Sequence, residues 1–419
     1  MRSSEGRHYN PPSLFPFLLA HEVAERNSVV ATVRILHASD LHMSVHKNMV
    51  SPVDQFSHLR SQANLNLLTL SNLAREAYKA FRKKMTASSY EPVVLKRLAH
   101  FIYHNSKEKL VDGKVVTEDS PEKIDAVILS GDLATTGHLD DIKKVKNFFT
   151  APFDSRYPYE SQMHEATVSA VRTPIWYFPG NHDRLQGNLD WVWITYAPFP
   201  LNHRPFPKFF DPGGTNFDSE LLDFNNEAAR VLGEIRAQIS SHVALRVVVL
   251  AADFSLKGFG DHEGFYGWLA QGRVYDRILR QLVEKTKLER ERTEQSDDQA
   301  LCLLWAIHFP PSFPHISSTN RLLLEQELVQ KATEHGVRAV LAGHTHEQVR
   351  YRKPTMNFDV FCCGTTTQYV PLNSGDANRF QIIVIDANDT DDIVLSVENY
   401  RYKRAGEDGI SIAHFYRES

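Results

Sequence analysis

A chain of 419 residues, 42% hydrophobic and 23% charged, is long enough to bury a large core and has the composition of a soluble globular protein. No apolar stretch reaches the roughly 18 to 20 residues that a bilayer-spanning helix needs, and Ser13 to Ala20 runs straight into the charged stretch His21 to Arg26, so it reads as an extension and not as a secretory signal. The formal charge of −4 offers nucleic acid no general attraction, and three cysteines, Cys302, Cys362 and Cys363, all inside apolar runs, argue against a disulfide framework and for a reducing, cytoplasmic setting.

In chain order, residues 1–31 mix Pro, Ser, Asn and charged residues and form an N-terminal extension to a body spanning 32–419. Val33 to Asp40 reads as the first strand, stopped by a polar turn that carries Asp40 and His42. Helical signals dominate the stretch that follows. Leu67, Leu70, Leu73, Ala74 and Ala77 recur at spacings of three and four, and Val93 to Ile102 repeats the pattern, which sets out a helical insert over about residues 50–122. Lys83-Lys84 and Lys107 to Lys109 read as solvated faces.

Ile124 to Leu129 forms a second strand and delivers Gly131-Asp132. A helix from about His138 to Phe149 and a third strand, Thr173 to Phe178, follow, and that strand delivers Gly180-Asn181-His182-Asp183. This alternation predicts βαβ units and a largely parallel core. Residues 192–216, dense in Pro, Gly and aromatics, predict a long loop, serving either as a rim or lid over the site or in plain packing.

A helix over Glu227 to Ser240, a strand at Val247 to Ala252 and a helix at Val274 to Leu288 come next, with Lys285 to Asp298 as helix end and solvated connector. Leu301 to Ile307 is a buried strand ending at His308-Phe309-Pro310-Pro311. Leu322 to His335 is helical, and Val337 to Leu341 leads into Gly343-His344-Thr345-His346. Phe358 to Cys363, Phe380 to Ile385 and Ile393 to Val397 are strands with the spacing of hairpins, an antiparallel part of the sheet.

Five strand-like runs thus end in residues that ligate metals. Ligand sites of α/β sheets lie outside the carboxyl ends of strands, so these side chains can meet in one crevice although they are scattered in sequence. Singly, Asp40, Asp132 and Asn181 are ordinary turn or cap residues and His308 an ordinary core histidine. Together with His42, His344 and His346 they mix carboxylate, amide and imidazole donors, a set suited to Mn, Fe or Zn and too large for one ion that keeps a position open. Two ions that share a carboxylate fit the number, and hydrolysis of a phosphoester fits the charge they bring.

The ordered set Asp-x-His, Gly-Asp, Gly-Asn-His-Asp, His, Gly-His-x-His resembles the calcineurin-like metallophosphoesterases. The resemblance implies an α/β fold, a four-layer α/β/β/α sandwich with the helical insert after its first strand. It also implies Asp40, His42 and His346 as ligands of one metal, Asn181, His308 and His344 as ligands of a second, and Asp132 as their bridge. His182 would lie beside the scissile phosphate, with Asn181 and Arg184 as further substrate contacts, and a metal-bridging hydroxide would attack in line. Thr135 stands where many relatives carry an aspartate that pairs with the catalytic histidine, a departure that a diester with a good leaving group would tolerate best.

Within the family, the Gly-Asn-His-Asp ending and His308 followed by Pro310-Pro311 look closest to bacterial class III cyclic-nucleotide phosphodiesterases. The implied partner is a small, nucleotide-like phosphoester. A DNA repair nuclease and a non-catalytic scaffold share the fold and stand as alternatives, the first disfavoured by the acidic charge and the second by the complete ligand set. His46, His138 and His315 and the adjacent pair Cys362-Cys363 are read as structural.

Overall fold

Short apolar runs rich in Val, Ile and Leu, each closed by a polar turn, form the strands of two sheets in the computed structural model. The structure describes residues 31–43, 91–134, 145, 148, 170–181, 183, 227–255, 272–296, 299–314, 322–367, 378–388, 392–404 and 413–418. In chain order the elements are β1 (Ala31–Ala38), α1 (Pro92–Asn105), β2 (Glu108–Val111), β3 (Lys114–Thr117), β4 (Ala126–Ser130), β5 (Ile175–Phe178), β6 (Ala229–Gln238) and β7 (Ala244–Ala252). There follow α2 (Asp276–Glu294), β8 (Gln299–Ile307), α3 (Glu325–Glu334), β9 (Ala339–Ala342), β10 (Val349–Tyr351), β11 (Asp359–Cys362), β12 (Arg379–Ala387), β13 (Ile393–Lys403) and β14 (His414–Arg417).

One sheet runs β14-β13-β12-β1-β4-β5 and the other β10-β11-β9-β8-β7-β6. β1, β4 and β5 are parallel, as are β7, β8, β9 and β11, so the motif-bearing ends of each sheet lie along one edge. The strand alternation fills three interiors. Val33 and Ile35 of β1, Ile128 of β4, Val247 and Val249 of β7 and Cys302 and Leu304 of β8 meet between the sheets. Leu36 and Leu129 turn outward to α1. Val248, Leu250, Leu303 and Trp305 turn outward to α2 and α3. The result is an α/β/β/α sandwich. Each fully buried Val, Leu, Ile or Phe contributes about 1.5–3 kcal/mol, so all three layers add cohesion on the same scale. Polar groups in these layers are matched: Trp305 Nε1 donates to Thr286 Oγ1 at 3.0 Å, and Arg246, buried under α2, pairs with Glu289 and Glu234 and donates to Thr293 Oγ1 at 2.9 Å.

Several sequence expectations are corrected. The helix expected over Glu227 to Ser240 is strand β6, antiparallel to β7. A register shift between Val231 and Gly233 reverses the in–out phase of the strand, so that Val231 packs outward while Leu232, Ile235 and Ala237 pack inward. That flip makes a strand mimic helical spacing. The three late strands are not one antiparallel unit. β12 and β13 pair antiparallel in the first sheet, whereas β11 joins the second sheet parallel to β9 and antiparallel to β10. The charged run from Lys285 continues α2 as far as Glu294, with Glu289 and Thr293 buried against Arg246. Lys109 is buried too. It pairs with Glu118 and lies 5.6 Å from the centre of the Tyr103 ring, an enclosed charge in place of the expected solvated face.

Of the helix expected at His138 to Phe149, Val145 and Phe148 are described, both helical and both buried. The stripe Leu67 to Ala77 and the loop 192–216 lie outside the described residues. Among the described residues no helix is long and apolar enough to cross a membrane.

One buried polar relay ties the first sheet together. Gln381 Nε2 donates to His37 Nδ1 at 2.9 Å, and His37 Nε2 donates to Ser130 Oγ at 2.7 Å, linking β12, β1 and β4. Burial pushes the His37 pKa down to about 3, against the pull of Asp40's charge. The folded value lies below the unfolded 6.5, so the stabilisation is complete above pH 6.5 and is lost as pH falls from there toward 3. We expect the melting temperature of the chelated protein to drop between pH 7 and pH 5, and His37→Gln to remove a slope of up to about 1.4 kcal/mol per pH unit. Equal slopes in the two proteins would exclude His37 as the source.

Candidate metal centre

The five loops meet because the carboxyl ends of both sheets open onto the same seam. Backbone bonds stitch them: Asp40 N to Gly131 O at 3.2 Å, His42 N to Asp132 O at 2.9 Å, and Gly343 N to His308 O at 3.0 Å. The two sheets are joined where His308 Nδ1 donates to Ser130 O at 2.8 Å and His344 N to Asp40 Oδ2 at 3.0 Å.

Such sharp exits from strands need unusual backbone. Asp40, His42, Asp132, His344 and His346 all sit in the left-handed region, with φ of 55°, 48°, 51°, 68° and 60°. Each such residue costs of order 1–3 kcal/mol, and Asp and His are among the side chains that tolerate it best. Gly131, at φ 90°, goes where a Cβ would come 2.6 Å from His308 Nδ1, and a Cβ on Gly180 would strike the Asp132 carboxylate.

Asp183 closes the first sheet's half of the site. Its buried carboxylate accepts the N–H of Ala134 at 2.7 Å on Oδ1 and those of Leu133 and Gly180 at 3.1 and 2.9 Å on Oδ2, clasping the loop after β4 to the loop after β5. Burial and the Asp132 charge push its pKa up to about 7, opposed by those three donors. In the sequence Asp183 is only the last member of Gly180-Asn181-His182-Asp183, and nothing in that motif marks it as the acceptor for these N–H groups.

The seven expected ligand residues come together as two adjoining groups. In one, Asp40 Oδ1 lies 3.7 Å from His42 Nε2 and 3.3 Å from His346 Nε2, both long for a hydrogen bond. In the other, His308 Nε2 lies 3.1 Å from Asp132 Oδ2 and 3.1 Å from Asn181 Oδ1, and His344 Nδ1 lies 3.0 Å from the same Asn181 oxygen. Asp40, His42, Asp132, Asn181, His308 and His344 are buried, and His346 is half-buried, so the centre opens to solvent on the His346 side.

The electrostatics describe a site short of positive charge. Burial raises the pKa of Asp40, but the facing His346 imidazole and the charge of His308 outweigh it and hold the carboxyl well below its usual range. Burial would lower His308, yet the charge and hydrogen bond of Asp132, with Asp40 and the Ser130 carbonyl, raise it to about 9. Because Nδ1 is committed to Ser130, the Nε2 of a neutral His308 is an electron pair aimed at the oxygens of Asp132 and Asn181. Acceptors facing acceptors in a buried place call for a cation. The residues therefore fit the metal groups Asp40–His42–His346 and Asp132–His308–His344, with Asn181 Oδ1 added to the second. His182, Arg184 and Thr135 lie outside the described residues.

A family model described as calcineurin-like phosphoesterase matches residues 33–348. No curated protein sequence matches the chain. Solved structures similar to it include a dimetal phosphatase from Danio rerio at 12% identity, with 92% of this chain and 99% of that one covered and a TM-score of 0.43. A second is GAP50, the anchor in the inner membrane complex of Plasmodium, at 10% identity, with 92% and 88% covered and a TM-score of 0.42. A third, titled a putative 5'-nucleotidase from Staphylococcus aureus, is 10% identical, with 92% and 54% covered and a TM-score of 0.35.

The clasp is open to a direct check. Asp183→Asn keeps the size of the side chain but turns an amide donor toward N–H groups that need an acceptor. We expect it to lose about 1–3 kcal/mol in a urea titration of the chelated protein; wild-type stability would mean that Asp183 holds nothing.

Proposed function

Because the chain belongs to the calcineurin-like phosphoesterases, and is a phosphoester hydrolase of that class, we propose that it cleaves a phosphodiester of a nucleotide-like small molecule at a dinuclear metal centre. In this reading Asp40, His42 and His346 hold one ion, Asn181, His308 and His344 the other, and Asp132 bridges them. The observation that carries it is the gathering of metal-ligating atoms in a buried place: His308 Nε2 lies 3.1 Å from both Asp132 Oδ2 and Asn181 Oδ1. The mixture of imidazole, carboxylate and amide suits Mn, Fe or Zn. When bound, such a pair lowers the pKa of a water between the ions and neutralises phosphoryl oxygens.

The protein's own groups supply the rest. Asp40 and Asp132 keep the site from becoming so cationic that an anionic product would stay bound. Asp40 is kept ionised by the facing His346 and the charge of His308, which outweigh its burial and hold the carboxyl well below the usual carboxylate range. His182 follows Asn181 directly in sequence, and the family resemblance assigns it to the scissile phosphoryl group. It stabilises the developing charge or protonates the leaving oxygen, and Arg184 offers a further contact to phosphate. Thr135 stands where many relatives carry the carboxylate that assists this histidine. That favours a diester with a good leaving group over a monoester with a poor one. The ligand set has no gap, which supports hydrolysis over a scaffold role, and the formal charge of −4 argues against a nuclease that must grip a polyanion. The match of Gly180 to Asp183 and of His308 to Pro311 with class III phosphodiesterases makes a cyclic nucleotide the first substrate to try.

Elemental analysis of the reconstituted protein should find about two transition-metal ions per chain. None after reconstitution would sink the reading. Asp132→Asn should abolish hydrolysis, since one carboxylate serves both ions, and full activity in that variant would refute the bridge. His182→Ala should lower kcat by about 10²–10⁴-fold on a substrate with a poor leaving group, and by less on a nitrophenyl diester. A screen with Mn of a generic diester, a monoester, cyclic nucleotides and single-stranded DNA decides the substrate class; preference for the monoester removes the diesterase assignment.

A further inference from the structure

Three consecutive threonines follow β11 and lie buried beneath the turn that carries Asp40 and His42: Thr365, Thr366 and Thr367. Thr366 Oγ1 accepts the N–H of Ser39 at 3.1 Å, and Thr366 N donates to Ser39 O at 3.1 Å. Thr365 Oγ1 donates to Asp40 O at 3.3 Å, and Thr367 Oγ1 donates to Leu41 O. These four contacts fall on four successive peptide units, Ala38-Ser39, Ser39-Asp40, Asp40-Leu41 and Leu41-His42. No unit between the end of β1 and His42 is left to choose its own orientation. The opposite edge of the turn is held by the loop after β4, through Asp40 N, His42 N and Met43 N bound to Gly131 O, Asp132 O and Leu133 O.

The run is itself anchored by backbone and not by mobile side chains. Arg379 N donates to Thr365 O at 2.9 Å and Glu91 N to Thr367 O at 2.7 Å, tying it to the starts of β12 and α1. Asp40 and His42 are left-handed at φ 55° and 48°, conformations that persist only where the surroundings dictate them. A strand-end turn free to relax would release both.

We infer that Thr365, Thr366 and Thr367 are positioning residues for the Asp40–His42–His346 metal group, their hydroxyls fixing the peptide planes from which two of its three ligands project. The inference rests on the dinuclear reading above. It assigns the run no contact with substrate. A hydroxyl is required at each position: valine has the same shape, yet it leaves the Ser39 N–H, the Asp40 carbonyl or the Leu41 carbonyl without its partner. Serine restores the partner without the methyl.

The test is a Mn titration of the full-length chelated protein, followed by metal analysis and electron paramagnetic resonance. The wild type should bind two ions and show the signature of a spin-coupled pair. Thr365→Val/Thr367→Val should weaken one of the two ions by about tenfold or more, given two lost hydrogen bonds, leave the other at its wild-type affinity, and show an uncoupled mononuclear signal. Thr365→Ser/Thr367→Ser should regain the coupled pair, a rescue that a general loss of packing would not give. Should the double valine variant fail to fold, Thr365→Val against Thr365→Ser reads the same comparison with one bond at stake. Valine variants that bind two coupled ions at wild-type affinity overturn the clamp and leave the dinuclear reading standing. A wild type that binds no ion overturns both.

Discussion

The structure depends on one electrostatic constraint: electron-rich atoms, all but those of His346 on buried residues, are gathered in one place. Oxygens of Asp40, Asp132 and Asn181 and ring nitrogens of His42, His308, His344 and His346 stand 3.0–3.7 Å from their nearest counterparts. Without compensation, such an arrangement relaxes by moving apart, by taking up protons or by binding cations. The elevated His308 is the proton-binding answer, and the depressed Asp40 is its mirror image. For the cation-binding answer to win, the backbone has to deny the loops the first option.

It does so with main-chain bonds in preference to side-chain packing. The turn from β1 is held on one edge by carbonyls of Gly131, Asp132 and Leu133 and on the other by the threonine run after β11. The loops after β4 and β5 are held by the Asp183 carboxylate, and the loop after β8 by Gly343 N on His308 O. Left-handed residues at five ligand positions add strain of order 1–3 kcal/mol each, an amount the three apolar layers can carry. The sandwich thus supplies stiffness at a seam whose chemistry works against the fold.

Much of this was legible in the sequence, and the rest was not for identifiable reasons. Strands β1, β4, β8 and β9 announce themselves because they are largely buried on both faces, and each apolar run gives way to a turn that carries a ligand residue. β6 did not, since its bulge scrambled the two-residue period into a helical one. β10 and the β2–β3 hairpin are only three or four residues per strand and mostly exposed, so their apolar runs are too short to read as strands. The ligand residues were found because each has metal-binding chemistry at a strand end. Thr365 to Thr367, Asp183 and His37 were missed because a threonine, a turn aspartate and a strand histidine are ordinary alone. Their importance lies in partners as distant in sequence as Leu41 is from Thr367, and no periodicity records such pairings.

His37 shows how far below its surface the site extends. Ser130 uses its carbonyl to fix the tautomer of His308 and its hydroxyl to take the proton of His37, while the far side of His37 takes a proton from Gln381. A charged His37 would present Nδ1–H to the Gln381 amide and break the relay at its start. Keeping that ring neutral, as its burial does, keeps Ser130 in place. Ser130 in turn decides which nitrogen of His308 faces the oxygens of Asp132 and Asn181. Four strands, β12, β1, β4 and β8, therefore contribute one link each to the orientation of a single imidazole. The same hydrogen bonds that join the first sheet internally also aim the second sheet's ligand.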